Sequence, residues 1–373
     1  MSDNTRHGFV QSDGKIVTSG YFSQPTGVGA QTANRIVLAR LHGGSAPATG
    51  GSGGAGGVGG GGGTTGTGGA AAPAPGTLDT TFGASGIVSS NPFASTDPLM
   101  QWGTAEAYGI ARQSTGAYVT GGYGRSAASG TVNVLSFRYT AAGAFDTTWA
   151  STGVFEKDLT GEDDRSRNVA VLQDDRVMLV GSAAPVMGNV DGMIMILTAN
   201  GALDTTFNTT GYKIYKVDAA SDRPDESLWG AAVSPNGMFA AAAGYRNTPP
   251  NTLPASAASI NDDAVLVILP LGGTGTEFAG VVPLSATTAD RFWAVTFDGD
   301  NKIVAAGYVT EGTDRWLAVA RFNTDGTPDG TFGTNGIAKV NASPSTASTQ
   351  FEEARGVVVQ SDGKIVIGGS AEH

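Results

Sequence analysis

One short motif, present near both ends of the chain, constrains the possible folds more than any other feature. Gln11 to Val17 reads Gln-Ser-Asp-Gly-Lys-Ile-Val, and the same seven residues recur from Gln360 to Val366. Four diverged copies lie between them, each a polar pair between two apolar runs, the second of which ends in Gly. The polar pairs are Asp13-Gly14, Thr115-Gly116, Asp174-Asp175, Asn236-Gly237, Asp300-Asn301 and Asp362-Gly363. Such a pair predicts a β-hairpin with a two-residue turn, because Asx and Gly both tolerate positive φ.

The spacing of these hairpins predicts a repeat of roughly 60 residues. Successive pairs are 102, 59, 62, 64 and 62 residues apart, and the first interval contains a Gly-rich segment of 34 residues. A third apolar run follows each of the first five hairpins, and then a degenerate Leu-Asp-Thr-Thr-Phe-Gly and a fourth run. Four short strands at a fixed period, without helical periodicity, are typical of the blades of a β-propeller.

The Gly-rich segment, residues 43–76, predicts a disordered insertion in the first blade. Seventeen of its 34 residues are Gly, and most of the others are Ala, Thr, Ser and Pro. Such a composition has too little apolar surface to offset the entropy of ordering. The segment contains a Gly-x-Ser-x-Gly match at Gly50–Gly54. A nucleophile elbow needs a strand before it and a helix after it, so we do not interpret this match as catalytic.

The sequence therefore predicts an all-β fold, a six-bladed β-propeller built from four-stranded repeats of roughly 60 residues. The chain is predicted to be one domain, residues 1–373. Six first-and-second-strand hairpins are present but only five third and fourth strands, so the last blade is predicted to be incomplete. The blades are expected at about 6–90, 105–157, 165–217, 226–284, 290–340 and 352–373.

The repeat unit resembles the delta-60 repeat of bacterial surface and secreted proteins. The resemblance is carried by Val359-Gln-Ser-Asp-Gly-Lys-Ile-Val-Ile-Gly-Gly369 and by Ala320-Arg-Phe-Asn-Thr-Asp-Gly-Thr-Pro-Asp-Gly-Thr-Phe-Gly-Thr-Asn-Gly-Ile337. The family implies a β-propeller but no shared enzymatic activity. We therefore expect a secreted or cell-surface bacterial protein, although this sequence shows no signal peptide.

Composition limits the partners. The 22 Lys and Arg against 33 Asp and Glu give a net charge of -11, which argues against nucleic acid as a partner. No apolar run approaches the ~20 residues of a membrane-spanning helix, so no membrane span is expected. The chain has no Cys, which excludes disulfides and thiolate metal sites.

The start of each first strand and the end of each second strand are expected at the mouth of a central channel, because a hairpin returns the chain to the same side. Alignment on the turns places Asp3, Ala105, Arg165, Glu226, Asp290 and Glu352 at one position, and Arg6, Tyr108, Asn168, Trp229, Trp293 and Arg355 at another. Tyrosines follow several second strands. The predicted ligand-binding residues are Arg6, Tyr21, Tyr108, Tyr123, Trp229, Tyr245, Trp293, Tyr308 and Arg355.

This rim has two candidate functions beside a purely structural role, in which charges solvate the strand ends and aromatic rings pack neighbouring blades. The first is non-enzymatic binding of a small molecule, glycan or protein at the channel mouth. The second is a Ca²⁺-dependent phosphotriesterase- or lactonase-like hydrolase, by analogy of fold. Its candidate metal ligands are Glu106, Glu226, Asp290 and Glu352, with His7 as the candidate base.

Two further hypotheses come from the incomplete last blade. Its open edge could pair with a second copy of the chain and produce a homodimer. The chain could also be a structural spacer within a larger adhesin.

Overall fold

The computed structural model describes residues 3–25, 32–43, 73–90, 105–125, 130–186, 189–217, 225–247, 262–272, 275–285, 288–312, 314–343 and 352–371. These residues form 22 β-strands and one short 3₁₀ helix, Trp149–Ser151. Residues 44–72, most of the predicted insertion, lie outside the described part, as does the Gly-x-Ser-x-Gly match. The strands make six antiparallel sheets, in which neighbours in sequence are neighbours in space.

Five of the sheets have four strands each. The first contains β1 (Asp3–Val10), β2 (Ile16–Pro25), β3 (Thr32–Leu41) and β4 (Ile87–Ser90). The second contains β5 (Ala105–Arg112), β6 (Tyr118–Gly124), β7 (Asn133–Tyr139) and β8 (Val154–Lys157). The third contains β9 (Arg165–Val171), β10 (Val177–Val186), β11 (Asn189–Leu197) and β12 (Tyr212–Tyr215).

The remaining sheets continue the pattern. The fourth contains β13 (Asp225–Val233), β14 (Phe239–Asn247), β15 (Asp262–Pro270) and β16 (Phe278–Val281). The fifth contains β17 (Asp290–Phe297), β18 (Ile303–Glu311), β19 (Asp314–Phe322) and β20 (Ile337–Val340). Within the described part of the chain, the sixth has two strands, β21 (Glu353–Val359) and β22 (Ile365–Ser370). The predicted all-β fold of four-stranded units is thus confirmed.

The six hairpins differ in one respect from the predicted two-residue turns. In the first, the N–H of Gly14 donates to the carbonyl of Gln11, and the N–H of Gln11 donates to the carbonyl of Lys15. Positive φ occurs only at the last of the three loop residues, which is Gly14, Gly116, Asp175, Gly237, Asn301 or Gly363. This is a type I turn followed by a left-handed residue, so the first residue of each pair keeps an ordinary φ.

The sheets pack face to face in chain order. The first strands contact one another in succession, β1 with β5, β5 with β9, β9 with β13, β13 with β17 and β17 with β21. Five buried apolar clusters lie between successive sheets. From the first pair of sheets to the last, they contain in turn Tyr118, Trp149, Leu228, Phe292 and Val319. The core is therefore a series of layers between sheets. The described residues include no helix long and apolar enough to cross a membrane.

The third-to-fourth-strand connections are organised by the Asp-Thr-Thr motif. In the first sheet, Arg40 Nε donates to Asp79 Oδ2 (2.8 Å), and the N and Oγ1 of Thr81 donate to Asp79 Oδ1 (3.1 and 2.6 Å). Equivalent Asp–Thr bonds occur at Asp146, Asp204 and Asp329. The next residue of the motif is an aromatic side chain such as Phe82, which is fully buried against the following sheet. We call these four connections the Asp-Thr-Thr turns.

Candidate functional site

A β-bulge interrupts the first strand of every sheet, and the extra residue occupies the same place in each. In β1, for example, Thr5 pairs with Gly20 and His7 with Ser19, so Arg6 has no partner residue across the strand. The six bulge residues are Arg6, Tyr108, Arg167, Trp229, Trp293 and Arg355. A bulge redirects its side chain and is often found beside functional sites. We call these six residues the bulge ring.

A glycine on the second strand makes room for each bulge. The residue before the bulge always pairs with Gly, which is Gly20, Gly122, Gly181, Gly244, Gly307 or Gly369. A Cβ built on Gly307 would lie 1.7 Å from the carbonyl oxygen of Arg291, and four of the others would meet the equivalent oxygen at 1.8–1.9 Å. Only Gly fits there, which explains why the second apolar run ends in Gly.

The bulge ring surrounds one cavity, which has a volume of about 360 Å³. Its lining comes from the first strands of all six sheets and consists of Thr5, Arg6, His7, Tyr108, Arg167, Asn168, Trp229, Trp293 and Arg355. The volume is at the lower end of the range for small-molecule sites. Sheets far apart in sequence therefore contribute to one shared site.

The side chains of the bulge ring stack on one another in chain order. The guanidinium carbon of Arg6 lies 4.7 Å from the ring centre of Tyr108, and that of Arg167 lies 5.0 Å from Tyr108 and 4.5 Å from Trp229. Trp229 and Trp293 meet edge to face at 4.9 Å, and the guanidinium of Arg355 lies 3.8 Å from Trp293. Cation–π contacts of this kind hold the side chains in place at the cavity wall.

Of the other predicted tyrosines, three contact the bulge ring without lining the cavity. Tyr123 donates to the Tyr108 hydroxyl (3.1 Å), and the Tyr21 ring stacks on Tyr108. Tyr245 packs against Trp293 at 6.0 Å. Tyr308 is buried, with its hydroxyl 2.6 Å from Asp262, and is not part of the cavity lining. Of the predicted ligand-binding residues, five line the cavity, namely Arg6, Tyr108, Trp229, Trp293 and Arg355.

Three of the four carboxylates predicted as metal ligands accept hydrogen bonds from backbone N–H groups. Asp290 accepts N–H bonds from Ala264, Leu284 and Ser285 at 2.7–3.0 Å. Glu226 accepts from the N–H of Val217 at 3.1 Å, and Glu352 from Ala342 and Ser343. The donors Val217, Leu284, Ser285, Ala342 and Ser343 belong to the loop that arrives from the preceding sheet. We call Glu226, Asp290 and Glu352, together with Asp164 of the third sheet, the crossover carboxylates.

Asp164 corrects the alignment of the third sheet. The sequence alignment placed Arg165 at this position, but Asp164 is the buried residue, and it accepts N–H bonds from Leu159 (2.6 Å) and Ala184 (3.2 Å). Burial raises the pKa of Asp164, and it raises that of Asp290 to about 7, although backbone N–H donors oppose the change in both. These pKa values result from burial, and the geometry gives the carboxylates the task of fixing the inter-sheet loops.

The four predicted metal ligands do not come together. Glu106 lies beside Tyr123 on the second sheet and contributes to the raised pKa of that hydroxyl, after the larger effect of burial. Among the described residues no group of three or more His, Asp or Glu side chains has the arrangement of a metal site. Nothing in this arrangement of carboxylates supports a calcium site.

His7, the candidate base, does line the cavity. Burial lowers its pKa, so the imidazole is neutral at neutral pH, and its Nδ1 has no hydrogen-bond partner. A neutral imidazole is what a general base requires. A role for His7 in catalysis stays a prediction.

Sequence alignment missed Arg167. It placed Asn168 at the third sheet's bulge position, and Asn168 also lines the cavity, but Arg167 is the bulge residue. The spacing of the sequence identifies Arg167, since the bulge residue lies seven positions before the first residue of every turn pair. Counting back from Asp174 gives Arg167, and counting ten back gives Asp164.

Comparison with known proteins agrees with the repeat. The family model described as "Domain of unknown function (DUF5122) beta-propeller" matches residues 11–43, 172–207, 299–332 and 360–373. These segments run from the hairpin turn through the second and third strands of the first, third and fifth sheets, and from the turn through the second strand of the sixth. Together with the four-stranded sheets they support a β-propeller repeat protein. No curated protein matches the chain.

Several solved structures are similar to this chain. A protein of unknown function from Dyadobacter fermentans DSM 18053 is 12% identical with a TM-score of 0.47, over 99% of this chain and 94% of that one. A gluconolactonase from Xanthomonas campestris is 15% identical with a TM-score of 0.31, over 72% of this chain and 71% of that one. A glucose dehydrogenase is 12% identical with a TM-score of 0.36, over 91% of this chain and 83% of that one.

Proposed function

We propose that the protein is a six-bladed β-propeller that acts as a non-enzymatic binding scaffold, with the bulge ring as its ligand site. The observation that carries the proposal is the convergence of six first strands on one cavity of about 360 Å³. The backbone at the ring is constant, with a bulge opposite a Gly in every sheet, while the side chain changes from sheet to sheet. A scaffold that fixes position and varies chemistry is suited to recognition.

The cavity wall combines aromatic area with polar groups, as small-molecule sites do. Trp229 and Trp293 are half-buried, so part of each indole remains available to a ligand. A small molecule, a glycan or a protruding protein side chain is of suitable size. The resemblance of the repeat to bacterial surface and secreted proteins supports placing this scaffold outside the cell.

The calcium-dependent hydrolase has less support. Glu226, Asp290 and Glu352 use their oxygens to accept backbone N–H bonds, and Glu106 lies elsewhere. The adhesin-spacer hypothesis gives no reason for a ring of stacked Arg and Trp side chains around a cavity.

A homodimer through the sixth sheet stays part of the proposal. Within the described residues β22 pairs only with β21, and Val358 and Val366 of this sheet are 58% and 47% exposed. An open strand edge of this kind can pair with another copy of the chain.

The experiment is a binding screen with matched tryptophan variants. Isothermal calorimetry with a panel of neutral and acidic monosaccharides and small carboxylates is expected to give saturable binding to the full chain. Trp293→Leu is expected to weaken it by about tenfold or more, because a stacked aromatic contact is lost. Trp316→Leu is the control, since Trp316 lies on β19, away from the cavity lining.

Two results would overturn the proposal. One is binding that Trp293→Leu leaves unchanged. The other is turnover of an activated ester or a phosphotriester that EDTA and Glu226→Gln both abolish, which would instead favour the hydrolase.

A further inference from the structure

The bulge ring carries a charge pattern that runs against the rest of the chain. The whole protein has a net charge of -11, yet the ring contains three arginines and no acid. The nine residues that line the cavity likewise include no Asp or Glu. Positive charge is therefore concentrated at one concave site in an acidic protein, and such a site attracts anions.

Arg167 is the centre of this pattern. Its guanidinium lies 5.0, 5.1 and 4.5 Å from the rings of Tyr108, Tyr123 and Trp229, respectively. Its Nε is buried without a hydrogen-bond partner, and no ion pair between described residues involves its side chain. Most other arginines that stack on aromatic rings here also have a carboxylate partner. Arg167 is thus a cation enclosed by aromatic rings with unused donors, and a partly desolvated guanidinium without a counter-ion is energetically costly.

Arg6 and Arg355 extend the positive surface from the two ends of the chain. Both are exposed and both stack on ring aromatics. Arg355 pairs with Glu353 at 2.5 Å, and Glu353 also accepts from Arg315, so one acid is shared by two cations. Stacking uses the flat face of a guanidinium and leaves the N–H groups at its edge free for hydrogen bonds.

The ring also has more donors than acceptors. The indole N–H groups of Trp229 and Trp293 are buried without a hydrogen-bond partner. A modest rotation of these half-buried side chains would bring the donors to a ligand. A ligand that supplies acceptor oxygens would recover interactions that the ring itself does not make.

From these observations, and building on the proposed function, we infer that the ligand of the bulge ring carries an oxyanion, a carboxylate or a phosphate, which binds to Arg167 with help from Arg6 and Arg355. The indoles of Trp229 and Trp293 contact the uncharged body of the same ligand. Carboxylates and phosphates match the planar fork of donors that Arg presents.

The test compares probes that differ in charge. Glucuronate and glucose differ chiefly in one carboxylate, and citrate and inorganic phosphate separate the two kinds of oxyanion. Calorimetric titration of the full chain is expected to give binding by glucuronate or citrate, or by phosphate, at least about tenfold tighter than by glucose. Raising the NaCl concentration from about 0.05 to about 0.5 M is expected to weaken the binding, because exposed charges are screened.

Matched arginine variants localise the effect. Arg167→Gln is expected to weaken anion binding by about tenfold to a hundredfold, with Arg167→Lys between it and the wild type. Arg112→Gln, at the opposite end of β5, is the control and is expected to leave binding unchanged. Circular dichroism and melting temperature verify the fold of each variant. Arg355→Gln, at an exposed position, provides a second test if Arg167→Gln does not fold.

The outcomes separate this inference from the proposed function. If glucose binds as tightly as glucuronate and Trp293→Leu weakens the binding of both sugars, the bulge ring is a ligand site. The inference that its ligand carries an oxyanion is then wrong. If an oxyanion binds and neither Arg167→Gln nor Arg355→Gln weakens it, the anion site lies elsewhere and the inference fails. If no oxyanion binds at all, the inference also fails, whatever the neutral ligands do.

Discussion

The two ends of each sheet use the same side-chain types for different purposes. At the Asp-Thr-Thr turns, Arg40, Arg138 and Arg321 stack on Phe82, Trp149 and Phe332 at 4.6–5.0 Å. Each of these arginines also pairs with the Asp of its turn at 2.7–2.8 Å. At the bulge ring, arginines stack on aromatic rings as well, but Arg167 has no carboxylate partner.

The repetition itself distinguishes the two ends. At the turns the Asp–Thr hydrogen bonds are repeated in four sheets at 2.6–2.7 Å, as expected where each copy performs one structural task. At the ring the backbone is repeated but the residue alternates among Arg, Tyr and Trp. In a repeat protein, a constant backbone position with changing side chains is where we look for recognition, and constant contacts are where we look for stability.

The largest expected contrast is between two tryptophans. Trp149 is fully buried at the end of a turn, between the second and third sheets, whereas Trp293 is half-buried in the ring. Trp149→Ala is expected to cost about 3–5 kcal/mol of unfolding free energy because it leaves a cavity. Trp293→Ala is expected to cost less than about 1.5 kcal/mol and to abolish ligand binding. Urea denaturation measures the unfolding free energy of both variants. Equal losses would contradict the distinction between a stabilising turn and a recognition site.

The second contrast concerns pH, because Asp290 at the ring end has a raised pKa and Asp204 at the turn end has a lowered one. Burial raises the pKa of Asp290 from 3.8 to about 7. Between these values the folded state keeps a proton that the unfolded state has released, so this group makes the protein less stable as pH rises, by up to about 1.4 kcal/mol per pH unit. Asp290→Asn removes this slope. The variant is expected to lose about 1–3 kcal/mol near pH 4, because a backbone N–H loses its acceptor, and the difference from wild type should shrink toward pH 7.

Asp204 is the matched control from the turn end. Burial would raise its pKa, but the hydrogen bonds from Thr206 and Arg176 hold it below the usual value. Its stabilising effect is therefore present above the unfolded pKa and is lost as pH falls. The difference between wild type and Asp204→Asn should vanish in acid, the reverse of Asp290→Asn. Urea midpoints from about pH 3 to pH 8 test both, and slopes of the same sign would show that the two ends do not differ.

Much of the fold could be predicted because its signals are local. The turn pairs and the strand runs lie within single stretches of chain, and a third strand follows each of the first five hairpins as predicted. The turn type was wrong because a pair such as Asp13-Gly14 fits both a two-residue turn and a three-residue loop. Only the hydrogen bond from Gln11 to Lys15 distinguishes them.

The site was predicted less completely, because it depends on register and on distant backbone. The third repeat was aligned one residue out of step with its own turn pair, Asp174-Asp175, so the alignment assigned Asn168 instead of Arg167. The carboxylates at Glu226 and Asp290 looked like metal ligands because their partners are backbone N–H groups, which leave no trace in the sequence. The shared cavity likewise depends on residues from sheets far apart in the chain.

The smallest expected effect comes from a pair of conservative substitutions. It is also the most discriminating, because both substitutions introduce only residue types that the repeat already contains at the equivalent position. Trp229→Tyr gives the ring a second Tyr, as at position 108, and is expected to change the unfolding free energy by no more than about 0.5 kcal/mol. Trp149→Phe gives the second Asp-Thr-Thr turn the aromatic residue of the first, and is expected to cost about 1–3 kcal/mol, because a fully buried side chain becomes smaller. Equilibrium denaturation compares the two. A loss at position 229 as large as that at 149 would make the bulge ring a packing element, and its variation between sheets would then need an explanation other than recognition.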